Sequence, residues 1–525
     1  MIRVDANAKQ GPLKPVWSYF GYDEPNYTYT KNGTKLIEEL AALGAAPVYI
    51  RAHNLLTTGD GVAALKWGST NAYREDAAGN PIYDWTIVDR IFDTYVHAHA
   101  KPFVEIGFTP EALSTHPQPY RHTWPQGGID TGWTYPPKDL AKWGELIRHW
   151  ALHSVERYGR EEAESWYWEV WNEPDIMYWH GTPEEYNKLY DAAVLAVKSV
   201  LPRARVGGPA TTGPASAKAA AFLKQFLEHC AREGRPLDFI SYHAKGRPQV
   251  VDGHVRMGLS KNLEDVARGI EVLSAFPQYR NLPVILSESD PEGCAACSVR
   301  THPPNAYRNG ALYASYTAAA YKNILDLAVG RKANIEGMLT WAFEFEDQPY
   351  FDGFRTLATN GIDKPVLNFF RMVGLMRGDR VAAESSIGIP VDRLIAEGVH
   401  GGEPYVDALA SRADREISVL MWNYHDDDVA GPDARIRVSV NGIGGNTRRV
   451  LVKHFRIDGE HSNAFTAWKA MGSPQHPTAQ QYKKLEAAGQ LELLESPRWV
   501  ELRSNWVELA FGLPRQAVSL VQVTW

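Results

Sequence analysis

Two acidic residues stand where strand-end chemistry would need them. The run Trp166–Asp175 reads WYWEVWNEPD. Its aromatic and β-branched residues suit a strand, and Pro174, with no N–H to donate, stops it. Glu173 is thus predicted at the mouth of a strand, walled by Trp and Pro. Poor solvation disfavours a charged carboxyl there, which predicts a raised pKa suited to a general acid. Asn172 beside it can hydrogen-bond a sugar hydroxyl, whereas Glu169 lies inside the strand and reads as structural. A second run, PVILSESD at Pro283–Asp290, is an apolar strand ending at Glu288. Two carboxylates about 5–5.5 Å apart, facing one substrate from opposite sides, divide the work of glycoside cleavage. One attacks the anomeric carbon and the other protonates the leaving oxygen. Asp290 and Glu292 are rivals for the attacking role, but they lie beyond the strand end on a less rigid loop. A lone strand-end Glu is more often a structural ion-pair partner; the aromatic setting of Glu173 tips the reading towards chemistry.

The surrounding pattern supplies elements to hold these residues. Short β-rich runs alternate with amphipathic helices from Pro15 to Met376. The strand runs are Val16–Tyr22, Pro47–His53, Pro102–Phe108, Trp166–Asn172, Ala204–Gly208, Asp238–His243, Pro283–Ser287 and Glu336–Phe343. The helices between them are predicted over Gly33–Leu43, Trp85–Ala100, Lys138–Tyr158, Pro183–Val200, Ser216–Arg232, Leu263–Phe276, Ala306–Leu327 and Val366–Met376, with Ser216 as an N-cap. Strand–helix pairs in unbroken order imply an α/β fold, the (β/α)8 TIM barrel, whose sites form at the C-terminal ends of the strands. Glu173 would end the fourth strand and Glu288 the seventh. The long loop Thr109–Pro137 would wall the pocket and favour cleavage of terminal sugars.

Beyond about Gly378 helical periodicity fades. Alternating runs at Ile417–Tyr424, Arg435–Val440, Arg449–Ile457, Trp506–Gly512 and Val518–Trp525 predict an accessory β-sandwich, interrupted by one short helix at Thr478–Gly489. The expected division is a catalytic barrel over 12–377 and a β-sandwich formed by 1–11 with 378–525. With no Pro-, Gly- or Ser-rich linker between them, the sandwich reads as a buttress for the barrel.

Composition narrows the function class. The net charge of −7 over 525 residues argues against nucleic acid or an anionic membrane as partner. No apolar run is long enough to span a membrane. The 17 Trp and 25 Tyr suit flat faces for sugars as well as an ordinary core. Three cysteines are too few for a disulfide framework. Cys294 and Cys297 lack the further ligands of a metal site and read as a loop brace, either as free thiols or as a disulfide; Cys230 reads as core. No metal or organic cofactor is expected. The start, MIRVDANAKQGPLKPVW, lacks the apolar stretch of a signal peptide. The expectation is a cytoplasmic protein, or a periplasmic or secreted one if the start has been trimmed. The sequence leaves the oligomeric state open.

The ten residues Trp166–Asp175 resemble the signature W-x-F-E-x-W-N-E-P-D/N of glycoside hydrolase family 39, with Trp168 in place of Phe as the single departure. The resemblance implies a retaining glycosidase with Glu173 as acid/base and Glu288 as nucleophile. It further implies that Asn172, His53, His243 and Trp341 bind sugar, and that Glu344 and Glu346 contact hydroxyls. Two branches of the family meet here. HAKG at His243–Gly246, ESDP at Glu288–Pro291, the KPVL run and PTAQQY resemble the α-L-iduronidases, in which a Lys at the position of Lys245 holds the uronate carboxylate. PEGCAAC after the nucleophile is similar to bacterial β-xylosidases. The favoured expectation is release of terminal β-D-xylose from xylo-oligosaccharides or aryl xylosides. An iduronidase-like or arabinosidase activity on the same site, or a catalytically silent carbohydrate-binding protein, are the alternatives.

Overall fold

The computed structural model describes residues 1–525 except 123–128, 131, 292–293, 445–446 and 504. Its barrel strands are Tyr19–Tyr22, Tyr49–Ala52, Lys101–Ile106, Tyr167–Val170, Arg205–Thr211, Phe239–His243, Val284–Glu288 and an eighth that is broken in two, Ile335–Met338 and Thr340–Trp341. Successive strands pair in parallel, and Thr340 and Trp341 pair with Phe20 and Gly21 of the first strand to close the ring. The break falls at Leu339, whose N–H still reaches Leu286 O at 2.9 Å on the seventh strand.

The predicted helices form on the outside of this ring. The one over Pro183–Val200 has Pro at its start and a reciprocal capping box between Thr182 and Glu185. The next, Ala217–Glu233, begins where expected, but the Ser216 side chain makes no capping bond there. Its far end stops at Gly234, which adopts the left-handed conformation (φ 62°) that glycine tolerates.

Aromatic side chains plug the lower half of the barrel. Tyr19, Phe103, Tyr167, Phe239, Ile285, Leu339 and Trp341 form one buried cluster drawn from six of the eight strands. Gly21 makes room for this packing: a Cβ there would sit 2.5 Å from the Trp341 ring. Above the plug lies a layer of buried charge, Arg51, Glu105 and Glu169, all fully excluded from solvent.

Besides short two-stranded pairs, a second large sheet has the spatial order Glu492–Glu501, Arg449–Ile457, Val518–Thr524, Glu416–Tyr424, Tyr405–Ala413, Asp379–Ser385, Ile2–Pro12, Ala434–Asn441 and Trp506–Leu513. Val419 and Val521 share a core cluster with Val438 and Leu509, from strands several places away. Only a sheet folded face to face on itself brings them together, and this is the β-sandwich. The N-terminal strand lies between two strands of the C-terminal region, antiparallel to Asp379–Ser385 and parallel to Ala434–Asn441. The sandwich packs tightly on the barrel helix Ala311–Arg331: Lys322 pairs with Asp407 at 2.6 Å and Ser315 donates to Gln516 at 2.8 Å.

Candidate active site

Glu173 lies three residues past the end of the fourth barrel strand, and Glu288 is the last residue of the seventh. The turn that carries Glu173 is strained. Trp171 (φ 76°) and Glu173 (φ 46°) both occupy the left-handed region that non-glycine residues avoid. Each such residue costs about 1–3 kcal/mol and persists only where its surroundings over-determine it. Here the Trp171 N–H donates to Ile106 O at 3.1 Å and its indole N–H to Tyr178 O at 2.8 Å. The Glu173 N–H donates to Ala210 O at 2.9 Å.

One carboxylate oxygen of Glu173, one of Glu288 and a ring nitrogen of His243 all lie within 4.8 Å of one another. That is short enough for direct attack and too short for the water that an inverting pair must admit, which needs about 6.5–9.5 Å. His243 Nδ1 is 2.9 Å from Glu173 Oε1, and its Nε2 is 3.8 Å from Glu288 Oε1. Lys245 reaches across both carboxylates, with Nζ 2.6 Å from Glu288 Oε2 and 3.5 Å from Glu173 Oε1. This ammonium group, set among the carboxylates, opposes binding of a metal cation at the same cluster.

At the two carboxyls burial is opposed by these neighbours. Burial pushes Glu288 up, but Lys245, His243 and His53 outweigh it and hold the carboxyl well below its usual range. It is therefore ionised, a state that suits a nucleophile. For Glu173 the expectation of a raised pKa is overturned. Burial does push it up, but the Lys245 ammonium and the His243 hydrogen bond together bring it below the ordinary carboxylate value in the unliganded enzyme. The aromatic wall was legible in the sequence; the lysine comes from the end of another strand.

The other predicted residues fall into two groups. His53, Asn172, Lys245 and Trp341 line, with Glu173 and Glu288, a cavity of about 280 Å³. His53 Nδ1 meets Glu105 at 2.6 Å and its Nε2 lies 3.5 Å from Glu288 Oε1. Despite the opposing effect of burial, Glu105 and Glu288 raise the His53 pKa to about 9, so it is cationic at neutral pH. Asn172 accepts a bond from Arg51 at 3.0 Å and lines the cavity. The Trp341 indole donates to Asp23 at 3.1 Å, and its face lies 4.2 Å from the His53 ring.

Glu344 and Glu346 lie elsewhere. Glu344 is buried outside the main cavity and accepts the Gly361 N–H at 2.6 Å; Glu346 lines a separate surface cavity. Neither is the partner of Lys245, because the two catalytic-site carboxylates hold it. Among the described residues of the loop Thr109–Pro137, none lines the cavity; its walls come from Leu65–Trp67, Ile176, Tyr178, Ala295, Ala296 and Phe345. Glu292 lies outside the described residues. Asp290 sits 3.5 Å from Arg355 and accepts from Tyr313. Cys294 and Cys297 form a disulfide, and Ala295 and Ala296 between them are part of the cavity wall.

Several contributors escaped the sequence reading. Arg51 contacts Glu169 at 2.5 Å, Glu105 at 2.9 Å and Glu288 at 3.6 Å, so it links the buried charge layer to the site. Its signal was a charge in the middle of an apolar strand, PVYIRAH, matched by Glu105 in PFVEIGF. Arg355, 3.8 Å from Glu288, sits on a loop with no such signal.

Comparison with known proteins accords with this geometry. Residues 1–501 match the family described as Glycosyl hydrolases family 39. A β-xylosidase of Caldicellulosiruptor saccharolyticus is 30% identical over 449 residues, covering 83% of this chain and 82% of that one. An α-L-iduronidase of Mus musculus is 24% identical over 567 residues, covering 100% and 80%. In fold, the chain matches the crystal structure of a monomeric β-xylosidase from Caulobacter crescentus CB15 with a TM-score of 0.77 at 23% identity, over 100% and 99% of the two chains. With a family match over almost its whole length and a barrel that sets two carboxylates at retaining distance, this chain belongs to glycosyl hydrolase family 39 and is a retaining glycosidase.

Proposed function

We propose that the chain releases terminal β-D-xylose from xylo-oligosaccharides and aryl β-D-xylosides, with Glu288 as nucleophile and Glu173 as acid/base. The observation that carries the roles is the close approach of the two carboxylates, one held ionised by its neighbours, in a cavity of about 280 Å³. A cavity of this size suits the end of a chain better than its middle. Glu288 attacks C1 as Glu173 gives its proton to the leaving oxygen. Glu173, now a base, takes a proton from water, which attacks C1 and frees both the sugar and Glu288. The substrate choice rests on the β-xylosidase likeness.

A second substrate reading has its own observation. Lys245 lies within 3.5 Å of both carboxylates, with Arg355 beside Glu288. A uronate carboxylate that drew Lys245 towards itself would let the Glu173 pKa rise as substrate binds, arming the acid when it is needed. This favours an α-L-iduronide.

Initial rates on paired aryl β-D-xyloside and aryl α-L-iduronide, for wild type and Lys245→Ala, decide between them. Xyloside turnover that survives the substitution supports the first reading; iduronide turnover that collapses without Lys245 replaces it with the second. On the preferred substrate, Glu288→Ala is expected to leave only background turnover. Glu173→Ala should lose about 10²–10⁴-fold, the usual worth of a general acid, and least with the most activated leaving groups. A Glu288→Ala enzyme with wild-type rate would overturn both readings.

A further inference from the structure

Glu24 follows the first barrel strand and has no counterpart among the residues discussed so far. It is 4% exposed, and it lines the main cavity together with Asp23, Lys66 and Trp341. Its oxygen Oε2 is buried and meets no hydrogen-bond partner among the described residues. Buried polar atoms are nearly always paired, so an orphan one beside a sugar cavity calls for a reason.

A narrow recess of about 10 Å³ continues from the same place. Glu24, Asp23, Ala295, Trp341, Phe345 and Arg355 line both spaces, and Glu344 lines the recess only. The recess has room for about one water molecule or one small polar substituent. Glu344 brings to it a second buried carboxyl oxygen without a partner, Oε2. A recess walled by two under-bonded carboxyls and opening beside the Trp341 floor is built to receive a hydroxyl.

We propose that Glu24 is a further specificity-determining residue of this glycosidase, its carboxyl group hydrogen-bonding a ring hydroxyl of the sugar held in the cavity. Burial, reinforced by Asp23 and Asp60 and opposed by Lys66, pushes the Glu24 carboxyl well above its usual range. Burial likewise raises Glu344, to about 8. Burial thus favours the protonated form of each, which offers an O–H donor as well as acceptor oxygens. A neutral acid binds a hydroxyl without adding a negative charge to a site that already holds Glu173 and Glu288. Its buried Oε2 is left without that partner when the matching hydroxyl is missing, and that is how a polar pocket discriminates.

The inference rests on the glycosidase assignment and not on the choice of xyloside. It is therefore tested on whichever aryl glycoside the wild-type enzyme cleaves; failure of wild type on xyloside removes the substrate reading and leaves this test standing. The experiment measures kcat and KM for wild type, Glu24→Leu and Glu24→Asp on that glycoside and on its mono-deoxy analogues. Glu24→Asp withdraws the carboxyl by one methylene and keeps its chemistry, so it serves if the Leu variant does not fold. Each variant is expected to lose about 10- to 100-fold in kcat/KM on the parent glycoside, the worth of a buried hydrogen bond left unmade. On the one analogue that lacks the partner hydroxyl the deficit should shrink to within about threefold, because wild type has then lost the same bond. Thermal stability of Glu24→Leu should be equal or higher, since an orphan buried oxygen is gone. Wild-type kcat/KM in both variants, or an equal deficit on the parent and every deoxy analogue, would overturn the proposal and leave Glu24 as packing.

Discussion

Lys245 sets the working pH of the site because one ammonium faces both carboxyls. Its charge favours the ionised form of each, so its removal must raise both pKa values. With Glu288 as the proposed nucleophile and Glu173 as the proposed acid/base, the acid limb of kcat/KM would follow the ionisation of Glu288 and the alkaline limb the loss of the proton from Glu173. Both limbs of the profile are therefore expected to move to higher pH in Lys245→Ala, and the wild-type optimum should lie on the acid side of neutrality. A pH–rate profile of the two enzymes on a neutral aryl glycoside checks this; an unmoved alkaline limb would mean that Lys245 does not govern Glu173. Arg51 acts at the same scale with a different consequence. Arg51→Met leaves Glu169 buried with its cation gone and Glu105 with His53 alone, a loss of about 3–5 kcal/mol. A fall in melting temperature together with loss of activity is expected, and an unchanged melting temperature would contradict it.

At the scale of elements, the site depends on strand ends and on the loops braced above them. The loop after the seventh strand shows how the bracing works. Cys294 O accepts from Arg308 at 2.6 Å, Cys297 O accepts from Asn305 at 3.1 Å, and Ala295 O accepts from Arg355 at 3.1 Å. The disulfide closes the two ends of this short cavity wall on each other. The replacement of both cysteines by Ser is expected to raise KM several-fold with a smaller change in kcat, because the wall positions substrate and does not react. Equal KM values in the variant and the oxidised wild type would show that the hydrogen bonds alone hold the wall.

At the scale of the molecule, the N-terminal strand joins the first residues of the chain to the last third. Ile2, Val4 and Ala6 are buried in the sandwich core, and the strand separates Asp379–Ser385 from Ala434–Asn441. Removal of residues 1–12 would expose two strand edges and open that core. Such a truncation is expected to aggregate or to melt at a markedly lower temperature, even though no site residue is touched. We propose that the sandwich acts chiefly as a buttress, since Leu409, Leu420 and Trp422 belong to the same apolar cluster as the barrel helices. Thermal unfolding in a single cooperative transition would agree; two separated transitions would not.

The order of strands and helices was legible in the sequence because hydrophobic period and turn chemistry are local properties. The helix Pro183–Val200 matches its predicted bounds, and Glu288 ends its strand because an apolar run stops there. Strands with weak local signals were missed. Asp379–Ser385, read as DRVAAES, has little apolar alternation, and Glu492–Glu501 is a charged edge strand. In the active site, residue types at strand ends pointed to two carboxylates and an Asn, and the family resemblance added two His and a Trp. What they do to one another required the closed barrel. The sign of the Glu173 shift depends on Lys245, the disulfide on how one loop folds, and the orphan oxygen of Glu24 on everything packed around it. Sequence determines which groups arrive at the rim. Only the tertiary structure decides their distances, and the energy of charges and buried polar atoms is set by distance and solvent exclusion.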